Sequence, residues 1–179
     1  RIKFKIVLNI KFMLEVKNPW DQKVLQKISF QNSKDIEKIL ELAKKNSLKK
    51  GLDFNQIRRI DVLENFFKII SSNIDELAIL ASSEGGKPIK DSIIEIERGA
   101  EGVKSAIEII KSDSGNVIPM NINKASERRI AFTQKEPIGV VLAISAFNHP
   151  FNLIIHQIIP AIAVGCPVIV KPSEDTPLS

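Results

Sequence analysis

From Ile57 onward apolar residues recur at alternating steps of three and four, through Ile60, Leu63, Phe67, Ile70, Ile74 and Leu77. That is the spacing of a helix with one buried face. Ser71-Ser72-Asn73 interrupts the run with weak helix formers whose side chains compete for backbone hydrogen bonds, so two helices are predicted, not one. An earlier helix is predicted from Ser33, read as its N-cap with Asp35 and Glu37 in the first turn, to the loop Lys49-Lys50-Gly51-Leu52-Asp53. Its apolar face is Ile36, Ile39, Leu40 and Ala43. After Glu84-Gly85-Gly86-Lys87-Pro88 a further amphipathic stretch carries Ile93, Ile96, Ala100, Val103, Ile107 and Ile110, and Ser112-Asp113-Ser114-Gly115-Asn116 stops it. The spacing is heptad-like, but each stretch is short and broken by Gly or Pro. The expectation is helices packed on a common core, with Lys/Glu faces toward solvent, and no coiled coil.

From Val117 the period shortens. Val117-Ile118, the polar turn Asn121 to Glu127, and Ile130 and Phe132 alternating with Arg129, Ala131 and Thr133 predict a two-stranded ribbon with little packing surface of its own. Gly139 then opens the apolar run Val140-Val141-Leu142-Ala143-Ile144, the composition of a strand covered on both faces. Pro150 suits the first position of a helix that Gly165 ends, and Pro160 inside it implies a kink or tightening. Pro167-Val168-Ile169-Val170 closes a strand-helix-strand unit, whose strands should be parallel.

Composition changes this picture little. At 44% apolar and 26% charged, the chain is of the ordinary globular class, and it has no uninterrupted apolar run that would span a membrane. The net charge of +5 is misleading as a sign of nucleic-acid binding. Arg1, Lys3, Lys5 and Lys11 supply four of the 26 basic residues, and the remaining 22 nearly balance the 21 acids. Residues 1–12, apolar and basic ahead of Met13, read as an upstream extension with no small-residue cleavage site behind them. A single cysteine, Cys166, excludes a disulfide framework within the chain, and with only His149 and His156 besides, a zinc site is not expected.

Candidate chemistry gathers where the two predicted parallel strands end, because ligands of such sheets bind beyond the carboxyl ends of the strands. Ser145, Ala146, Phe147 and Asn148 leave the first strand there; Lys171, Pro172, Ser173 and Glu174 leave the second. Lys171 offers donors on a long stem and Glu174 can accept from adjacent hydroxyls, a pairing suited to a ribose; an inconsequential surface pair is the other reading. Asn148 carries amide donors at a helix entry, fit for an oxyanion or simply for capping the turn. His149 and His156 read as turn and helix-packing residues. Cys166 precedes the second strand, at the opposite edge from Asn148, and reads as a small core residue rather than a nucleophile.

Glu136-Pro137-Ile138-Gly139-Val140-Val141, Phe147-Asn148-His149-Pro150, Pro160-Ala161-Ile162-Ala163-Val164-Gly165 and Lys171-Pro172-Ser173-Glu174-Asp175-Thr176-Pro177-Leu178-Ser179 resemble, in order and spacing, signatures of the aldehyde dehydrogenase superfamily. Asn18-Pro19, Arg58-Arg59, Glu84 to Pro88 and Glu95-Ile96-Glu97-Arg98 resemble its amino-terminal helical region. The resemblance implies an α/β fold: a helical part over residues 13–118, an oligomerisation ribbon over 119–137, and the first strand-helix-strand unit of a Rossmann-like NAD-binding domain over 138–179. It further implies a cytoplasmic enzyme, dimeric or tetrameric, that oxidises an aldehyde to an acid with NAD or NADP through a cysteine thiohemiacetal. Asn148 then matches the family's oxyanion-stabilising asparagine. Ile144, Ser145, Ala146 and Phe147 match the stretch beside the cofactor, and Lys171, Ser173 and Glu174 fall in the segment that holds the adenosine ribose. A carboxylate at Glu174 favours NAD, because it repels the 2′-phosphate of NADP.

This sequence departs from the commoner family pattern at Phe147, Gln157 and Cys166, without loss of a named catalytic group. The stretch Ser145 to Leu153, with His156-Gln157, is similar to branches acting on lactaldehyde, phosphonoacetaldehyde or related small polar aldehydes. The resemblance puts the family's glycine-rich turn, glutamate base and nucleophilic cysteine beyond Ser179, so the chain is expected to be an amino-terminal fragment with no turnover of its own. A coenzyme-A-acylating dehydrogenase and a non-catalytic nucleotide-binding member are the alternatives.

Overall fold

A computed structural model describes residues 13–48 and 55–179. The expected upstream extension, residues 1–12, and the loop at residues 49–53 lie outside them.

The described chain opens on an element the periodicity did not predict. Strands β1 (Met13–Lys17) and β2 (Val24–Ser29) form an antiparallel hairpin with Leu14 opposite Ile28 and Glu15 opposite Lys27. Its turn is local chemistry: the Asn18 side chain accepts from the Trp20 N–H at 2.9 Å, and Gln22 takes a left-handed backbone with φ 61°. Within the helical part expected over 13–118, the described residues therefore begin with a hairpin ahead of the helices.

The helices follow the apolar spacing closely. α1 spans Ser33–Leu48, α2 Gln56–Ser72, α3 Ile74–Gly85 and α4 Ile89–Ser112. The break between α2 and α3 falls at Asn73, as the Ser-Ser-Asn triplet predicts. The first cap is one residue earlier than expected: Asn32, not Ser33, accepts from the Asp35 N–H, at 3.1 Å. An amide oxygen at that position reaches the third helical N–H, whereas Ser33 already sits in the helix.

Leu63 and Ile70 of α2, Ala78 of α3, and Ile96, Ala100, Val103 and Ile107 of α4 form one core. α1 does not join it. Of its expected apolar face only Ala43 is buried, while Ile36, Ile39 and Leu40 are exposed, and the helix lies beside the last strand rather than on the helical layer.

The ribbon is present but minimal. β3 (Val117–Ile118) pairs antiparallel with β4 (Ala131–Phe132), Val117 opposite Phe132. Between them Asn123 and Ser126 cap a short 3₁₀ turn reciprocally. Beyond it, β5 (Val141–Ile144), α5 (Pro150–Val164) and β6 (Val168–Lys171) make the strand-helix-strand unit, with β5 and β6 parallel as expected. α5 continues through Pro160 and ends at Gly165, whose φ of 88° is the left-handed exit that glycine adopts without strain.

α5 is the hub of the fold. Phe151, Ile155, Ile159 and Ala163 complete the helical core, and the same helix also packs on β5 and β6. Its approach to α4 is closest where α4 has no side chain: a Cβ on Gly99 would stand 2.6 Å from the Phe151 ring. Gly99 facing Phe151 and Gly102 facing Ile155 show that α4 and α5 run in the same direction. Their amino ends therefore lie together, and so do their carboxyl ends.

Candidate functional site

Parallel pairing places Ile144 opposite Lys171, and the Ser145 N–H donates to the Lys171 carbonyl at 3.0 Å. Ile144, Ser145, Ala146 and Phe147 thus leave the sheet beside Lys171, Ser173 and Glu174, as the topology demands. The two segments are tied together: the hydroxyl of Thr176, buried in a chain stretch otherwise half-open, donates to the Phe147 carbonyl at 3.2 Å. Gln157 of α5 reaches up to the same edge and donates to the Ile144 carbonyl at 2.9 Å. Lys171 Nζ lies 3.5 Å from Glu174 Oε1, both exposed, so a donor and an acceptor stand side by side where vicinal hydroxyls could be bracketed. Ser173 has a local role, its hydroxyl accepting from the Asp175 N–H at 3.3 Å.

Asn148 follows β5 at the entry to α5. It is exposed, and its side chain makes no hydrogen bond among the described residues. It does not cap the helix, since His149 holds the N-cap position and likewise offers no side-chain cap.

The cap comes instead from a residue that the sequence placed in a family motif but gave no role at the site. Glu95 of α4 is 2% exposed, and its Oε1 accepts from the Asn152 N–H in the first turn of α5 at 3.0 Å. Its Oε2 takes Lys87 Nζ at 2.5 Å. Lys87 Nζ also lies 2.8 Å from His149 Nδ1, and because an ammonium can only donate, that ring nitrogen is the acceptor. A second buried carboxylate, Glu84 at the end of α3, is 3% exposed; it accepts from the backbone N–H groups of Leu178 at 2.7 Å and Ser179 at 2.8 Å, and from the Ser179 hydroxyl. The turn Gly86-Lys87-Pro88 and the first residues of α4, Ile89 to Ile94, separate these anchors of the two halves of the site. Both acids sit on buried helical stripes, Glu84 three residues after Ala81 and Glu95 four before Gly99, and a charge interrupting an apolar stripe was the signal available.

The far end of α5 is built differently. Arg59 Nη1 donates to the Ala163 carbonyl at 2.7 Å, and Gln56 Nε2 donates to the Ile110 carbonyl near the end of α4 at 2.6 Å. The first turns of α2 therefore satisfy last-turn carbonyls of both neighbours. Burial pushes the Arg59 guanidinium below its usual pKa. Cys166 is buried here, ahead of β6, with its N–H on the Ala161 carbonyl at 2.8 Å. A groove of about 470 Å³ runs along α4 and α5 past Gly102, Ile109, Ile155 and Pro160, and includes none of the residues expected at the sheet edge.

A parallel β-α-β unit with its polar groups at the carboxyl edge, mounted on a helical layer, defines a Rossmann-like α/β protein. Residues 9–179 match the aldehyde dehydrogenase family, and the chain belongs to it. It is 37% identical over 165 residues to a 3-sulfolactaldehyde dehydrogenase of Priestia aryabhattai, covering 92% of this chain and 34% of that protein. To a lactaldehyde dehydrogenase of Methanocaldococcus jannaschii it is 35% identical over 166 residues, again 92% and 34%. Among solved structures, an aldehyde dehydrogenase from Physcomitrella patens in complex with the reaction product succinate superposes with a TM-score of 0.87 at 30% identity, over 95% of this chain and 35% of that one. A glyceraldehyde-3-phosphate dehydrogenase from Methanocaldococcus jannaschii complexed with NADP gives 0.84 at 35% identity, over 96% and 36%. The chain thus spans about a third of the length of these relatives. No helix among the described residues is long and apolar enough to cross a membrane.

Proposed function

We propose that this chain is the amino-terminal portion of an NAD-dependent aldehyde dehydrogenase, a cytoplasmic enzyme that oxidises a small polar aldehyde to its carboxylic acid. The observation that carries the reading is the exposed amide of Asn148, which makes no side-chain hydrogen bond among the described residues and follows β5 at the sheet edge where β6 ends in Lys171. In that chemistry a cysteine thiolate adds to the aldehyde carbonyl, hydride leaves the resulting thiohemiacetal carbon, and water releases the acid from the thioester. Asn148 donates its amide N–H to the oxygen as negative charge develops on it. The nucleophile and the base that activates water are assigned to sequence following Ser179, not to Cys166.

NAD, when bound, supplies the hydride acceptor. The donor set at the edge fits it: Lys171 would donate to and Glu174 would accept from the ribose hydroxyls, with Ile144 to Phe147 alongside. Related structures carry NADP and, in another case, NAD+, so the family's fold accepts either nucleotide. Glu174 supports NAD here, since its carboxylate would face a 2′-phosphate. The names of the related lactaldehyde and sulfolactaldehyde enzymes support a small, polar aldehyde. Exposed Val117, Ile122, Ile130 and Phe132 on the ribbon support assembly into dimers or tetramers.

In the protein expressed from its complete reading frame, Asn148→Ala should lower kcat by about 10²–10³-fold with the KM for NAD little changed, the loss typical of a single oxyanion donor. Unchanged turnover would overturn the role. Glu174→Thr should shift the kcat/KM ratio of NADP to NAD upward by about tenfold, equivalent to ~1.4 kcal/mol. An unmoved ratio would refute the ribose assignment.

A further inference from the structure

Among the described residues the Asn148 side chain makes no hydrogen bond, yet an oxyanion donor must be held within a fraction of an ångström of its working position. What fixes it must act through the main chain. The residue that follows it, His149, has its ring nitrogen on Lys87, and Lys87 is fixed by Glu95. Four residues after Asn148, the Asn152 N–H is fixed by the other oxygen of the same carboxylate. Ser82 adds a further restraint, its hydroxyl donating to the Lys87 carbonyl at 2.7 Å. Glu95 therefore holds the chain at two points on the carboxyl side of Asn148, while Thr176 holds the Phe147 carbonyl on its amino side.

We propose that Glu95, with Lys87, is the positioning residue for the oxyanion donor: a buried carboxylate on α4 that sets where the Asn148 amide stands. The proposal rests on the reading of Asn148 given above. Charge matters to this role as well as shape. A carboxylate presents two acceptor oxygens to two donors, whereas a glutamine in its place turns one of them into an NH₂ group facing either the Lys87 ammonium or the Asn152 N–H. The carboxyl side of the turn would then relax, and the amide with it, while the Thr176 bond to the Phe147 carbonyl and the Glu84 bonds to Leu178 and Ser179 would remain.

The test is a double-mutant cycle in the complete enzyme with Glu95→Gln, Asn148→Ala and the pair, measuring kcat, the KM for NAD and folding by circular dichroism. Glu95→Gln alone is expected to lower kcat roughly 10–100-fold, the cost of a donor displaced by part of an ångström, with KM for NAD within about twofold of wild type. In the Asn148→Ala background the same change should have almost no further effect on kcat, because a residue that acts through Asn148 has nothing left to position. Multiplicative losses in the double variant, or a wild-type kcat for Glu95→Gln where Asn148→Ala is impaired, would overturn the proposal. If Asn148→Ala itself leaves kcat unchanged, the oxyanion reading fails, and this inference fails with it. Should Glu95→Gln not fold, the milder Lys87→Gln enters the same cycle under the same criteria.

Discussion

The two ends of α5 are held by charged groups of opposite sign, each reaching in from a distant element. At the amino end the Glu95 carboxylate of α4 accepts from the Asn152 N–H; at the carboxyl end the Arg59 guanidinium of α2 donates to the Ala163 carbonyl. Both signs are the ones that the helix dipole favours. The surroundings differ, however. The amino end carries a chain of polar contacts through Lys87 to His149 and opens directly on exposed Asn148, whereas the carboxyl end is packed with Cys166, Gly165 and the ring of Pro137. One helix thus has an end that opens on an exposed amide and an end that anchors the scaffold, and substitutions should separate the two.

The largest effect is expected midway, at Ile155, which is buried against both Gly99 and Gly102 of α4. Ile155→Ala should destabilise the protein by about 2–5 kcal/mol through lost burial and the cavity left behind, read from urea denaturation. The fraction still folded should keep its kcat. A specific fall in kcat of folded enzyme would mean that the amino end depends on the core for its precision and not on Glu95 alone.

At the anchoring end, Arg59→Met keeps an apolar stem against Gly165 and removes the charged donor. The expected loss is about 1–2 kcal/mol in stability, the scale of one charge-assisted hydrogen bond to a helix terminus, with kcat and KM for NAD unchanged. If Arg59→Met lowered kcat as Glu95→Gln is expected to, the division between the ends would not hold.

The helices from α2 onward, the break at Asn73, the ribbon and the parallel unit were legible, because burial of one face imposes a period and Gly or Pro imposes an end. The hairpin at Met13–Ser29 was not, since β2 is exposed at nearly every position and so lacks the alternation that marks a strand; cross-strand pairing and the Asn18 turn define it instead. α1 misled in the opposite way, with a regular apolar face that the structure leaves largely uncovered. At the site, sequence placed the residues that meet solvent, Asn148, Lys171 and Glu174, through strand-end topology. It named Glu84, Lys87 and Glu95 only within motif matches and not as part of the site, because their partners lie far along the chain or on backbone N–H groups that have no sequence signature.

The smallest effect is expected on the surface near the shared carboxyl ends, where Glu64 of α2 accepts from Lys111 in the last turn of α4 at 2.9 Å. That hydrogen bond, and then the attraction of the ammonium, lowers the Glu64 pKa from its ordinary 4.5. A carboxyl lowered by folding is bound more weakly by protons in the native state. Its contribution is therefore complete above the ordinary value and disappears as pH falls through the lowered one. Glu64→Gln should consequently sit slightly below wild type in Tm at pH values above about 5 and converge with it in acid, and added salt at neutral pH should narrow the same gap. Convergence with kcat untouched would confine this pair to the anchoring end; a gap that widens in acid would give the interaction the wrong sign.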